Sequence, residues 1–159
     1  MNEPKLTSEQ AQHMRRLLWK WGNTPYFIQR KEREVRQFQD AINDAYETLH
    51  AQQITDMPRG GSMGASSVER AVEAAEHRIE QYEIALAAIN REIAQALALK
   101  QAIDEVVAEL DAVDQKILTM RYVDEHQWSY IGLRLTYDER WVRSKEHKML
   151  CKLSETITF

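Results

Sequence analysis

Residues 110 to 153 read LDAVDQKILTMRYVDEHQWSYIGLRLTYDERWVRSKEHKMLCKL, and their pattern of apolar residues decides the fold near the C-terminus. Apolar side chains recur every three or four residues in three successive segments, which predicts three short amphipathic helices. We expect the first over 114–122, the second over 128–135 and the third directly after Asp138. This layout is that of a helix-turn-helix DNA-binding unit.

Residue chemistry supports these boundaries. Asp114 and Asp138 are each suited to cap the free amides at the start of a helix. Thr136 and Tyr137 form the predicted turn between the last two helices. Gly132, at the centre of the second helix, lacks a side chain and permits close approach of another backbone.

The third helix is predicted to anchor itself inward through Val142, Met149, Leu150 and Leu153. Between residues 133 and 153 there are six Lys or Arg against three Asp or Glu, whereas the whole chain has a net charge of −4. Local charge determines phosphate attraction over a Debye length of about 8 to 10 Å, so this segment suits double-stranded DNA. The candidate DNA-binding residues on its outward face are Glu139, Arg140, Arg143, Ser144, His147 and Lys148.

The same stretch resembles region 4 of bacterial sigma factors of the sigma-70 class, in the variant carried by phage and prophage regulators of the RinA and ArpU type. The motifs that carry the resemblance are LTMRY at 118–122, WSYIG at 128–132 and YDERWV at 137–142. The resemblance implies an activator of late phage genes that reads a promoter or operator with its last helix. It also implies RNA polymerase as a partner and the cytoplasm of a bacterial host as the location.

Three residues depart from the family pattern. Thr136 replaces the usual turn glycine, Asp138 replaces a capping serine, and Lys145 occupies a position that is often apolar. Aspartate preserves a cap, so the departures concern the turn geometry and the packing at Lys145.

The first half of the chain predicts long helices. After a helix over 7–21, the run Gly22-Asn23-Thr24-Pro25 predicts a break. From Tyr26 to about Gln53 apolar residues recur at alternating steps of three and four, which is a heptad seam. Residues 55–66 concentrate glycine and are predicted to form a flexible connector.

A second long helix is predicted from Ser66 or Ser67, where Ser66 and Glu69 form a capping-box pattern, to about Leu110. Two long helices, each apolar along one stripe, are expected to pair as an antiparallel hairpin. The fold class is therefore all-α: a long helical hairpin in a region 1–110, followed by a sigma-region-4-like helix-turn-helix domain at 111–159. Because the second helix outreaches its partner, residues 103–110 must be covered by the N-terminal helix, by the helix-turn-helix unit or by a second chain. We favour a second chain, in a homodimer that occupies two DNA half-sites.

Signals of catalysis are weak. The five histidines lack the spacing of metal ligands, the neighbouring residues Asp124, Glu125 and His126 point in different directions in a turn, and 60–64 lacks the lysine of a nucleotide loop. We expect no enzyme activity, no cofactor and no metal. The single cysteine, Cys151, is expected to be a small core or boundary residue.

No window approaches about 20 apolar residues and the first residues lack the apolar core of a signal peptide, so we expect a cytoplasmic protein that does not enter a membrane. Two other functions remain open beside transcription activation. One is a phage DNA-packaging or assembly component that combines a helix-turn-helix with an oligomerising coiled coil. The other is a coiled-coil interaction protein whose C-terminal helices only pack.

Overall fold

Helices joined by short turns make up residues 5–55 and 64–158, which a computed structural model describes, and these residues contain no strand. The expected all-α class, with two long helices first, is confirmed. The helices are α1 (Ser8–Thr55), α2 (Gly64–Ala108), α3 (Ala112–Leu118), α4 (Trp128–Leu135) and α5 (Glu139–Thr156), and a π-helical turn over Thr119–Val123 follows α3.

A capping box begins α1. The backbone amide of Gln10 donates to Thr7 Oγ1 at 3.2 Å, and the amide of Thr7 donates to Gln10 Oε1 at 2.9 Å. The two bonds satisfy amides that have no partner inside the helix, which sets the start of α1.

The break predicted at residues 22–25 is wrong, because α1 continues through Gly22 and Pro25. Proline lacks an amide proton, so the usual helical bond to the carbonyl of Trp21 is missing. The hydroxyl of Thr24, which is buried, donates to the carbonyl of Lys20 at 2.8 Å. Gly22 is also buried, against the backbone of Tyr122. Tertiary packing therefore overrides two local break signals.

The start of α2 differs slightly from its prediction. The helix begins at Gly64, two residues before the predicted Ser66, and the side chain of Ser66 with its capping box lies outside the described residues. The predicted connector falls mostly on residues 56–63, which are likewise outside the described part of the chain. At the other end, the side-chain amide of Gln115 donates to the carbonyl of Leu110 at 3.0 Å, beyond the last turn of α2.

The chain divides into two units, and α1 and α2 each contribute to both. The first unit comprises residues 1–28 and 94–159, and the second comprises 29–93. The first unit has one core, to which α1, α2, α3, α4 and α5 all contribute buried apolar side chains. Its fully buried residues include Leu18, Ile103, Ile117, Leu118, Ile131, Val142, Leu150 and Leu153.

The end of α2 is covered within the chain. Ile103, Val106 and Leu110 are buried in the core of the first unit together with Leu18 of α1 and Leu153 of α5. The expected cover of 103–110 by a second chain is therefore wrong, although a homodimer as such stays a prediction. The predicted domain boundary after Leu110 coincides with neither division between the units.

The beginning of α3 also corrects a prediction. Asp111, not Asp114, occupies the N-cap position, and its carbonyl accepts the amide of Gln115 at 2.9 Å. Asp114 lies inside α3 and is buried, with its Oδ1 3.2 Å from the ammonium of Lys145 on α5. A carboxylate close to a helix start can thus serve a distant lysine instead of the local amides.

The second unit is an antiparallel pair of helical segments. The ammonium of Lys31 on α1 lies 2.7 Å from the carboxylate of Glu92 on α2. Further along, the rings of Phe38 and Tyr82 are 5.9 Å apart between centroids. From the first contact to the second, the residue number rises on α1 and falls on α2. The two segments therefore run in opposite directions, as in a hairpin.

Candidate nucleic-acid interface

The six candidate residues all lie in the first ten residues of α5. Arg140, Arg143, Ser144, His147 and Lys148 are exposed, and Glu139 is half-buried. The opposite side of the helix is buried through Val142, Glu146, Met149, Leu150 and Leu153. A helix turns by roughly 100° per residue, so one side is anchored in the core while the candidate residues line the other.

Two of the candidates form an ion pair. Arg143 Nη2 lies 2.8 Å from Glu139 Oε1, one turn earlier on α5, and both side chains are largely in contact with solvent. An exposed pair at this spacing adds only about 0.3 to 0.5 kcal/mol of stability. Its larger effect is to restrict where the Arg143 guanidinium points. The remaining candidates are not joined to this pair by a described bond and lie along the helix at Arg140, Ser144, His147 and Lys148.

A tight turn sets α4 against α5. Thr136 has a left-handed backbone with φ of 60°, and the amide of Tyr137 donates to the carbonyl of Gly132 at 2.9 Å. A Cβ at Gly132 would lie 2.9 Å from the Tyr137 carbonyl oxygen and 3.3 Å from the Glu139 nitrogen. The predicted role of Gly132 in close backbone approach is confirmed. Thr136, at the turn position where the sequence resemblance expects glycine, is left-handed.

The start of α5 has no side-chain cap. Asp138 occupies the N-cap position, as predicted, and its carbonyl accepts the amide of Val142 at 3.1 Å. Its carboxylate makes no capping hydrogen bond, so the predicted capping of the free amides by this side chain is wrong. The first amides of α5 therefore have no cap from this side chain, and a helix N-terminus in that state attracts anions.

Beneath the outward face, α5 is tied to α1 by a buried acid. Glu146 is 2% exposed. Its carboxylate accepts from Arg15 Nε at 2.7 Å. Burial raises the pKa of Tyr122 well above its usual range, and the nearby Glu146 carboxylate acts in the same direction. Burial lowers the pKa of Arg15, but the bond to Glu146 outweighs this effect and raises it overall.

Sequence reasoning missed Glu146. It lies four residues after Val142 and four before Leu150, both of which are buried, so its inward position was readable from helical spacing. A single sequence did not indicate which basic residue would meet it, because Arg15 is 131 positions away.

An aromatic and basic flank next to the candidate residues was also missed. The rings of Tyr137 and Trp141 are stacked with centroids 4.1 Å apart, and the Lys145 ammonium lies 5.6 Å from the centre of the Trp141 ring. Tyr137 and Trp141 remain exposed. Lys145 reaches inward to Asp114, which explains how a charged residue fits a position that is often apolar in sigma-like domains. The spacing of four residues between the two aromatic side chains was the available signal.

The loop before α4 is held by an arginine between two indole rings. The Arg121 guanidinium lies 5.3 Å from the centre of the Trp19 ring and 4.8 Å from that of Trp128. Its Nη1 donates to the carbonyl of His126 at 3.0 Å. Trp19 also makes an edge contact with Tyr122, so it serves the packing of this unit. These contacts fix the entry to α4 and through it the turn to α5.

Within residues 5–55 and 64–158, no three His, Cys, Asp or Glu side chains are grouped closely enough to hold a metal ion. In the same residues, no helix is both long and apolar enough to cross a membrane.

Comparison with known protein families, with curated proteins and with solved structures found no match to this chain. The resemblance to sigma region 4 therefore rests on the quoted motifs alone.

Proposed function

We propose that α4, its turn and α5 form a helix-turn-helix that binds double-stranded DNA in a sequence-specific manner. The observation that carries the proposal is the two-sided character of α5: one side is anchored in the core, and the other presents polar and basic side chains along its first ten residues. In such units the N-terminal part of the second helix enters the major groove.

The balance of paired and remaining charges supports DNA as the ligand. Two of the three acids of α5 are engaged, since Glu139 pairs with Arg143 and Glu146 with Arg15, and the third, Glu155, lies in the last turn of the helix. The exposed basic residues outside these pairs are Arg134, Arg140, Lys148 and Lys152. Their excess of positive charge attracts the phosphate backbone, which supplies most of the sequence-independent affinity.

Two residues have distinct proposed roles. Arg143, whose guanidinium is oriented by Glu139, reads a guanine edge, because arginine can donate to both of its acceptors in the major groove. Lys148, one turn beyond Ser144 on the exposed side, contacts phosphate as a point charge. The uncapped amides at the start of α5 add a second phosphate contact.

The biological setting is proposed from the sigma-like motifs. It is transcription activation of late phage genes in the cytoplasm of a bacterial host, with RNA polymerase as a protein partner. A homodimer on two half-sites would raise the affinity of a small unit that alone contacts one short site.

The test begins with unbiased selection of bound DNA fragments by the full chain. On the selected sequence, Arg143→Ala is expected to cost about 1 to 3 kcal/mol and to relax base preference at one position. Lys148→Ala is expected to weaken binding to all sequences. It should also reduce the slope of the logarithm of the binding constant against the logarithm of salt concentration by about 1, because one phosphate contact is lost. Lys116→Ala, an exposed lysine of α3, is the matched control.

Absence of binding to any fragment at about 50 mM salt, where electrostatic affinity is greatest, would contradict DNA binding. Equal effects of Arg143→Ala on selected and random DNA would remove Arg143 as a base reader while leaving the phosphate contacts. Transcription of a selected site with and without host polymerase then tests activation.

A further inference from the structure

The hairpin of the second unit buries few large side chains. Among its residues 29–52 and 67–93, the buried apolar side chains are Ala45, Ala75, Ile79 and Ile89. Two of these four are alanines, which contribute little apolar area. Tyr46 and Ile84 are exposed at 51% and 57%.

The other apolar residues of the heptad seam are only half-buried. Two helices cover each other along one line, so the sides of the seam stay open to solvent. Long helices that are polar elsewhere depend on packing of their apolar stripe for stability. The half-buried seam residues are Val35, Phe38, Ile42, Leu49, Val72, Tyr82, Leu86 and Ile93.

The hairpin is also polarised in charge along its length. The contacts Lys31 to Glu92 and Phe38 to Tyr82 set the register, so residues 29–37 lie beside 84–93 and residues 38–52 beside 67–83. The first of these ends, the basic end, has five Lys or Arg and three Glu. The second, the acidic end, has eight Asp or Glu and two Arg.

We propose that this hairpin binds the hairpin of a second copy side by side and antiparallel, so that the basic end of each copy lies over the acidic end of the other. The contact closes the open sides of both seams in a four-helix arrangement. An antiparallel pair of this kind has two-fold symmetry, and each charged end meets its complement twice.

The charge distribution selects both the partner and its direction. A parallel pair of copies would place acidic end on acidic end and would be repelled. DNA would be repelled by the acidic end as well. A second copy carries both of the required charges on the same surface, and it presents the same half-buried seam.

Self-association through residues 29–93 would give the homodimer of the proposed function and does not depend on DNA binding. Sedimentation of the full chain without DNA tests it separately. At micromolar concentration and low salt we expect a species of twice 18.6 kDa that weakens as salt is raised.

Charge reversal tests the direction. Arg33→Glu with Arg36→Glu reverses the basic end, and Glu73→Lys with Glu76→Lys reverses part of the acidic end. These four side chains are exposed, so circular dichroism should show unchanged helix content. The first double variant makes both ends acidic and is expected to raise the dimer dissociation constant by about tenfold or more. The second reduces the net charge of the acidic end from −6 to −2, which weakens the attraction, and is expected to raise the constant by a smaller factor.

Adding Glu80→Lys and Glu83→Lys, also at exposed positions, to the four reversals gives the former basic end a net charge of −2 and the former acidic end one of +2. This chain is expected to dimerise again, because its two ends are complementary. Lys116→Glu with Lys152→Glu makes the same charge change as the basic-end variant, but outside the hairpin, and should leave the dissociation constant unchanged. A monomer at every concentration tested, or a dimer that responds equally to the control pair, would overturn the proposal. Failure of DNA binding with an intact dimer would instead count against the proposed function alone.

Discussion

At the scale of single residues, Thr136 is under backbone strain. Its φ of 60° places it in the left-handed region, which a β-branched side chain rarely adopts. The cost for an L-residue in this conformation is roughly 1 to 2 kcal/mol. The turn between α4 and α5 imposes it, because the Tyr137 amide must reach the Gly132 carbonyl.

Thr136→Gly is therefore expected to stabilise the chain by about 1 kcal/mol, since the strain that glycine removes outweighs the entropy that it adds to the unfolded chain. Urea unfolding followed by circular dichroism measures the change. Ser144→Gly, on the exposed side of α5 in ordinary helical backbone, should destabilise by about 0.5 to 1 kcal/mol. A loss of stability with Thr136→Gly would show that the hydroxyl bond to the Leu135 carbonyl outweighs the strain.

The exposed positions of the candidate residues could be predicted from the sequence, but the contacts of their neighbours could not. The outward positions of Arg140, Arg143 and Lys148 follow from helical spacing. The pairing of Lys145 with Asp114 does not, because it requires α3 to lie beside α5.

At the scale of elements, the passage of α1 beside the π-helical turn depends on one glycine. A Cβ at Gly22 would lie 1.8 Å from the carbonyl oxygen of Tyr122 and 3.2 Å from the nitrogen of Val123. Both atoms belong to the backbone, so a side chain cannot be accommodated by a rotamer change. The glycine that suggested the end of a helix instead lets a continuous helix approach another segment.

Gly22→Ala is expected to destabilise the chain by about 1 to 3 kcal/mol because the two backbones must separate. The sign of the effect is informative, since alanine in a helix without this contact would stabilise by about 1 kcal/mol. The free energy of unfolding should be compared with that of Gln12→Ala, an exposed position of α1 expected to change it by less than about 0.5 kcal/mol. Stabilisation by Gly22→Ala would mean that α1 does not lie against Tyr122.

At the scale of the whole molecule, contacts between distant parts of the chain hold the first unit together. Trp21 Nε1 on α1 donates to Asp104 Oδ1 on α2 at 2.7 Å, and the Lys100 ammonium pairs with the same carboxylate. Burial raises the pKa of Asp104, but the bonds from Lys100 and Trp21 outweigh it, and the pKa lies below its ordinary value.

Stability should therefore depend on pH through Asp104. With a folded pKa below the unfolded value of about 3.9, the carboxylate stabilises the fold above that pH, and the contribution is lost as pH falls through the folded pKa. Asp104→Asn is expected to be less stable than the natural chain at pH 7. The difference in the free energy of unfolding between the two chains should decrease as the pH is lowered. Urea unfolding between about pH 7 and pH 2.5 measures it. Glu109→Gln, at an exposed position directly after α2, is the matched control. A difference in the free energy of unfolding between Asp104→Asn and the natural chain that stays constant with pH would contradict the assignment.

The sequence by itself determined what local spacing encodes: the all-α class, the two long helices, the extent of α4 and the outward side of α5. The tertiary structure decided what depends on residues far apart in the chain. Only folding brought Arg15 to Glu146, carried α1 through Gly22 and Pro25, and covered Ile103 from within the same chain. The physical reason is that helical periodicity tells which side of a segment is buried, whereas the identity of the neighbour on that side is set by packing around one shared core.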